Sequence, residues 1–462
     1  MRILHVTHQY PPDRRGGVEV YTQTLAEAQA AQGHIVAVLH GWADRVNDAP
    51  LVSSQYTVAS SQPSVVSSQT SSQTSIPNPQ SLILLAATPR PPRHPLEAFI
   101  RSFHNPALDR AFAAWLHGFR PDVVHIQHLK GLSARLPVVA TRLGIPVVYT
   151  LHDWWTFCGN AQLVRHTGKL CGGPWLWLNC ADCAAHHNAV TAHPNPHSFI
   201  PNPQTALALA ASPVVAALFA YRERLLEASL RAADVVIAPT AFVRDRYAQQ
   251  GLADARFRVV EHGIAYPDDG GRRTEDGRNT KYEVRIGYLG GLSWQKGVHV
   301  LVEAFNALPP DRAELVIYGD PRPFPDYVAR LKALARHPGI RFAGPYVPDD
   351  RWRILADLDL VVVPSVWPEI SSLVTQEAFA AGVPVVASRV GALAARVHDG
   401  VDGRLVPPGD VQALAAVLAE LVQRPEELAR LRQGVRPPRS LAQHSEAITS
   451  IYREVVANDA LV

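Results

Sequence analysis

The sequence is short of net charge, of cysteine outside one segment, and of long apolar runs. Each shortage removes a class of reading. Across 462 residues, Lys and Arg number 44 and Asp and Glu 41, an excess of +3. Nucleic-acid binders usually carry a concentrated basic face, so nucleic acid is not expected as a partner. The opening Met1-Arg2-Ile3-Leu4-His5-Val6 leaves no room for the apolar core of a signal peptide before Tyr10-Pro11-Pro12, which reads as a cytoplasmic chain. The longest uncharged apolar stretch, Thr205 to Tyr221, has 17 residues and is broken by Ser212-Pro213. That is the lower edge of membrane-spanning length. Its first reading is an Ala-rich helix of a soluble domain, and its second a peripheral contact with the inner membrane surface.

Cysteine is absent except between Cys158 and Cys183, where all four stand in the order C-x12-C-x8-C-x2-C. In a cytoplasmic chain such clustering speaks for a metal more than for disulfides. Four thiolates from Cys158, Cys171, Cys180 and Cys183 suit a structural tetrahedral zinc ion. Free or redox-active thiols are the competing reading, with an iron–sulfur cluster behind it. His186 and His187 are extra ligands or plain surface residues.

What is present is an alternation of buried strands and helices, and the chain is long enough for two cores. Ile3 to Thr7 is a nearly continuous apolar run, followed by Arg15-Gly16-Gly17-Val18-Glu19, a helix closed by Gly33, and a strand from Ile35 to Leu39. That is a βαβ unit. The pattern fails from Leu51 to Ser81, where Ser-Ser-Gln recurs at Ser53, Ser60, Ser67 and Ser71, and a surface insertion is expected. Strands resume at Val123, Val147, Val235 and Phe257. Pro267 to Lys281 has linker composition. Strands then restart at Arg285, Leu315, Ile340, Leu360 and Val385, with helices between them. The expectation is a first domain over 1–262, a linker over 263–283, a second domain over 284–440, and a last helix within 441–462. Both domains are α/β, doubly wound and Rossmann-like, facing each other across a cleft. Ligands bind such sheets at the carboxyl ends of strands.

Two loops of the second half carry the sharpest chemistry. One runs Val363-Pro364-Ser365-Val366-Trp367-Pro368-Glu369-Ile370-Ser371-Ser372-Leu373-Val374-Thr375-Gln376-Glu377. It sets carboxylates on both sides of a helix start, where free backbone N–H groups and the dipole favour an anion. The bland alternative is a Ser cap and a solvated Glu377. The other loop is Gly290-Gly291-Leu292-Ser293-Trp294-Gln295-Lys296-Gly297, in which Lys296 can neutralise a diphosphate. Neither the Walker spacing nor G-x-G-x-x-G is present. His125 reads as a satisfied core histidine. His128 and His262, at strand ends, are weaker substrate candidates. Trp154 and Trp155 either stack on an acceptor sugar or pack.

Glu369-x7-Glu377, the Lys296-Gly297 loop, Ala381-Gly382-Val383-Pro384-Val385-Val386, Gly16-Gly17-Val18-Glu19 and Tyr149-Thr150-Leu151-His152-Asp153 stand in one order. Together they resemble the family-four (group 1) retaining glycosyltransferases with the GT-B fold. The resemblance implies sugar transfer from a nucleoside-diphosphate sugar to a saccharide or lipid-linked acceptor, in polysaccharide or glycoconjugate synthesis. It implies that Lys296, Gly16, Gly17, Gly291, Ser372 and Leu373 hold the donor diphosphate. Glu377 would take the ribose, and Tyr346 would lie under the base. Glu369 would orient the transferred sugar and His152 would sit near its reacting carbon. No Asp-x-Asp occupies a suitable loop, so a catalytic divalent metal is not implied. The last helix would cross back to the first domain. Two departures stand out. Gly291 replaces the family's usual Arg, for which Arg285 or Arg351 could compensate, and the later Gly-Gly-x-x-Glu becomes Gly391-Ala392-Leu393-Ala394-Ala395. An epimerase or phosphorylase of the same fold, or a non-catalytic sugar-nucleotide binder, are the alternatives.

Overall fold

The structure is a computed structural model, which describes residues 1–11, 16–41, 56–58, 82–87, 95–165, 167–185, 212–266, 282–347 and 350–459. Its frame is two separate sheets. The first contains β1 (Arg2–Thr7), β2 (Ile35–Gly41), β3 (Tyr56–Val58), β4 (Leu82–Ala87), β5 (Val123–Ile126), β6 (Val147–Thr150), β7 (Val235–Ala238) and β8 (Phe257–Val259). Their order is β3-β4-β2-β1-β5-β6-β7-β8. All neighbours are parallel except β3 with β4. Apolar runs such as Val123-Val124-His125-Ile126 are buried at every position, as strands covered on both faces by crossover helices must be.

The second sheet contains β9 (Val284–Leu289), β10 (Ala313–Tyr318), β11 (Ile340–Gly344), β12 (Leu360–Val363), β13 (Val385–Ser388) and β14 (Gly403–Val406). Their order is β11-β10-β9-β12-β13-β14. The chain winds outward from β9 on one side and from β12 on the other, so the β9/β12 boundary is a switch point. In the first sheet the same boundary lies between β1 and β5.

Two differences from expectation concern the first sheet. β4 follows directly after the expected insertion and pairs parallel with β2, from Val36↔Leu82 to Gly41↔Ala87. β3 falls inside that insertion and pairs antiparallel with β4. The Ser/Gln triplets around these residues mask the short strand pattern. The rest of 51–81, the Pro-rich stretch 186–203 with His186 and His187, and 267–281 of the linker lie outside the described residues.

The helix Leu441–Asp459 packs against the helix Gly17–Ala31. Its Ile448, Ile451, Tyr452 and Val455 share one core with Ile3, Leu25 and Val148. Residues 300 or more positions downstream therefore complete the first domain. The second domain buries its own two clusters, around Ile286 and Val362 on one face and Val361 and Val385 on the other. The two crossings between domains run side by side. Ile264 N donates to Arg439 O at 3.0 Å, and Leu441 N to Ile264 O at 2.9 Å. No helix among the described residues is long and apolar enough to cross a membrane. The apolar stretch ending at Tyr221 enters the helix Ser212–Arg231, in which Phe219 is buried and Val214 is exposed.

Candidate functional site

The loops leaving β9 and β12 emerge side by side, because the two strands pair at Ile286↔Leu360 and Gly287↔Val361. A close approach locks them together. Gly297 has φ +68°, and a Cβ there would stand 1.9 Å from Pro364 O, so only glycine fits. Val366 N donates to Gln295 O at 2.9 Å. This clasp brings Lys296 Nζ to 2.8 Å from Glu369 Oε1. The same oxygen accepts from Ser365 Oγ at 2.6 Å and Trp367 Nε1 at 3.1 Å. Lys296 also lies 5.4 Å from the Trp367 ring centroid. Gly391, at φ +59°, presses on the Glu369 backbone, and Ala392 N donates to Glu369 O at 2.8 Å. Glu369 is thus buried and fixed from both sides. Three donors gather on Oε1, and among the described residues no donor reaches Oε2. That oxygen is free to accept from a ligand hydroxyl.

Glu377 lies one turn into the helix Leu373–Ala380. Its Oε1 accepts from Arg351 Nη1 at 2.7 Å. Burial holds its carboxyl above the ordinary range even though the Arg351 charge opposes this. Tyr346 is half-buried, packs edge-on to Tyr318 at 6.1 Å, and feels both Glu377 and Arg351. The helix starts at Ser372, which has φ +55° and whose side chain caps no backbone N–H. Ser372 Oγ meets Thr375 Oγ1 instead, at 2.8 Å. Ser371 Oγ is buried with no partner among the described residues. The first-turn N–H groups therefore keep their partial positive charge for an anion. The helix Gly17–Ala31 meets this end, with a Cβ built on Gly17 standing 3.9 Å from Leu373 Cδ1.

Gly16 is engaged within the first domain. Its N–H donates to Glu19 Oε2 at 2.9 Å, so a phosphate must displace an acid to reach it. At Gly291 an added Cβ meets nothing within 4 Å. Of the two cations offered as replacements for the missing Arg, Arg285 is excluded. It sits near the opposite end of β9 and pairs with Glu314 and Asp357. Arg351 remains, beside Glu377.

From the first domain, His152 Nε2 lies 2.8 Å from Gln127 Oε1. Burial, with His128 adding to it, holds the His152 imidazole down to about 3, so it is neutral at pH 7. His128 Nε2 donates to Asp153 Oδ2 at 3.0 Å, since His128 Nδ1 accepts from Lys130 N. His262 is buried, and neither ring nitrogen has a partner among the described residues. Its ring centroid lies 5.3 Å from that of His152. His125 is hydrogen-bonded at both nitrogens. Trp154 and Trp155 are both buried and serve packing. Trp154 lies against Tyr247 and Phe242, and Arg222 covers the Trp155 ring at 4.8 Å. Sequence reasoning missed Ser365, Trp367 and Gln127. All three follow the carboxyl end of a strand, and that position was the available signal.

Cys158 and Cys171 lie on a loop, with Cys171 at the mouth of the cleft, and Cys180 and Cys183 lie on the helix Leu178–Ala185 that follows it. Cys171 N donates to Leu163 O at 2.7 Å, and the Asn179 side chain spans Cys171 and Cys180. Cys158, Cys171 and Cys180 carry free thiols. The grouping a zinc ion needs is not formed by these side chains as they stand: among the described residues no three His, Cys, Asp or Glu side chains converge to hold a metal. The loop reaches across the cleft, and a Cβ on Gly168 would stand 3.3 Å from the Trp294 ring. A cavity of about 570 Å³ opens beside it, between Leu163, Phe242 and Arg246 of one domain and Pro368 and Gly391 of the other.

Residues 283–424 match the family model "Glycosyl transferases group 1". The chain is 40% identical over 153 residues to a D-inositol 3-phosphate glycosyltransferase of Xylanimonas cellulosilytica, which covers 32% of this chain and 36% of that protein. It thus spans about a third of the length of that relative. An uncharacterised 42.6 kDa protein in the cps region of Klebsiella pneumoniae is 21% identical over 85% of this chain and 86% of its own. Among solved structures, sucrose-phosphate synthase from Thermosynechococcus elongatus superposes with TM-score 0.63 at 19% identity, covering 99% and 100% of the two chains. Anabaena HepE in complex with UDP and glucose superposes with TM-score 0.59 at 18% identity, over 98% and 99%. These likenesses identify the fold as GT-B. Residues 15–265, more than half of the chain, match the model "Glycosyltransferase Family 4", and the protein belongs to that family.

Proposed function

We propose that the protein transfers a glycosyl group from a nucleoside-diphosphate sugar to a saccharide or lipid-linked acceptor, with retention and without a catalytic metal. One observation carries this reading. Glu369 and Glu377 flank an uncapped helix N-terminus, Lys296 stands at Glu369, and each carboxylate keeps one oxygen clear of donors among the described residues. That is a cradle for a diphosphate between two acceptors for sugar hydroxyls. Family membership supports the donor class, and the HepE complexes contain UDP and UDP-glucose.

In this reading Lys296 leaves its pair with Glu369 to meet the diphosphate, and Glu369 Oε2 accepts from the transferred sugar. The bond from the anomeric carbon to the leaving phosphate oxygen breaks. The acceptor oxygen bonds to the same face of that carbon, and its proton passes to the departing phosphate. No separate base is needed, which suits an imidazole at His152 that stays neutral. Charge grows on the phosphate, where the Lys and the helix N-terminus stabilise it. The acceptor enters through the cavity beside the cysteine loop.

Lys296→Ala and Glu377→Ala are expected to lower transfer by at least about a hundredfold while the thermal melt stays cooperative. A radiolabelled-donor assay against a panel of nucleotide sugars measures it. Wild-type turnover in either variant removes the assignment. Donor binding without turnover in the wild type would instead identify a non-catalytic binder.

A further inference from the structure

A chain of hydrogen bonds runs from His152 through the core of the first domain to the last helix of the protein. His152 Nε2 meets Gln127 Oε1 at 2.8 Å. Gln127 Nε2 donates to His5 Nδ1 at 3.1 Å. A neutral imidazole has one donor and one acceptor nitrogen, so His5 carries its proton on Nε2 and donates it to Gln29 Oε1 at 2.8 Å. Gln29 Nε2 donates to Tyr452 OH at 3.4 Å. Tyr452 then donates its single hydroxyl proton to His125 Nδ1. His125 in turn donates Nε2–H to Thr150 Oγ1 at 2.7 Å. His5, Gln29, His125, Thr150 and Tyr452 are fully buried, and Gln127 is 1% exposed.

Every link points the same way. An amide presents an oxygen on one side and an N–H on the other, so each Gln passes the direction on without change. Burial keeps water from breaking the sequence, and in a low-dielectric core such links strengthen one another. Burial also keeps His5 and His125 neutral by lowering both imidazoles, and only a neutral ring can be a link of this kind.

We propose that Tyr452 is a positioning residue for His152, acting through this one-directional relay. It holds His152 in the Nε2–H tautomer and leaves Nδ1 as the acceptor. Which ring nitrogen carries the proton is set by the hydrogen bond the other groups impose, and the hydroxyl that links Gln29 to His125 comes from the last helix. The meaning for substrate rests on the reading that His152 meets the transferred sugar. The relay itself does not.

The test is nitrogen-15 NMR of selectively labelled histidine, with the His152 signal assigned by its loss in His152→Gln. In wild type, His5, His125 and His152 are all expected as Nε2–H tautomers, unchanged from pH 8 to pH 6. One of the three as Nδ1–H overturns the relay. In Tyr452→Phe, His152 is expected to become a mixture of tautomers, with kcat falling about tenfold and donor KM moving less than twofold. A folded Tyr452→Phe with wild-type His152 signals shows a merely structural tyrosine and overturns the proposal. If that variant does not fold, Gln29→Met cuts the chain one link earlier and is read in the same way. Since the tautomers are read without substrate, loss of the relay and absence of transferase activity are separate results.

Discussion

At the scale of single residues, Gly291 separates what the fold permits from what this chain uses. The family's usual Arg is missing, yet the space for it is open, and no positive φ demands glycine there. Gly291→Arg is therefore expected to fold normally and to tighten donor binding. A charge-assisted contact to phosphate contributes about 1.5–3 kcal/mol, or roughly tenfold or more in Kd, as calorimetry with a nucleoside diphosphate would read. Unchanged affinity would place the diphosphate elsewhere than beside residue 291. Arg351 also stands in the cleft, and in the proposed reading its contact with Glu377 couples it to the ribose rather than to the phosphates.

At the scale of elements, the cysteine-bearing loop and the helix Leu178–Ala185 after it have a chemistry that the spacing did not reveal. Burial, with the three other thiols adding to it, pushes the Cys180 thiol up to about 12, and burial raises Cys158 as well. The thiolate is the reactive form, so Cys180 is expected to resist iodoacetamide at pH 8 in the folded protein. Unfolding in urea should make it react at the rate of an ordinary cysteine, as peptide mass spectrometry would record. Rapid labelling of native Cys180 would contradict the burial that raises it. Strands such as β5, β6 and β12 were legible in the sequence because each is a short, wholly apolar run. β14 was not, since Gly403-Arg404 interrupts its pattern, and neither was β4, which follows the Ser/Gln repeats. The places of Lys296 and Glu369 after a strand, and of Glu377 a turn into the following helix, were legible in the sequence. The partnership of Arg351 with Glu377 was not, because it joins residues on separate helices whose separation only packing sets. For the same reason nothing in the sequence placed Tyr452 near His125.

At the scale of the whole molecule, the first domain is a store of buried neutral histidines. His5 and His444 are each lowered to about 4, mainly by burial, and His125 and His262 lie well below their ordinary value for the same reason. The sign follows from linkage. Above pH 6.5 neither folded nor unfolded chain binds these protons, and stability is flat. As pH falls from 6.5 toward about 4, the unfolded chain takes them up first. Each such histidine then removes on the order of 1.4 kcal/mol of stability per pH unit. The urea midpoint of the first-domain transition is expected to drop steeply between pH 6.5 and pH 5. A midpoint constant over that range would mean that these imidazoles are not buried as described.

The pairing of Ile264 with Arg439 and Leu441 also bears on how the protein is made. The first domain closes its core with Ile448, Ile451, Tyr452 and Val455, which leave the ribosome after every residue of the second domain. A nascent chain thus carries an open apolar seam along the helix Gly17–Ala31 while the second domain folds. The order of synthesis makes the second domain the first finished unit, and the domain that begins the chain is the last to be sealed.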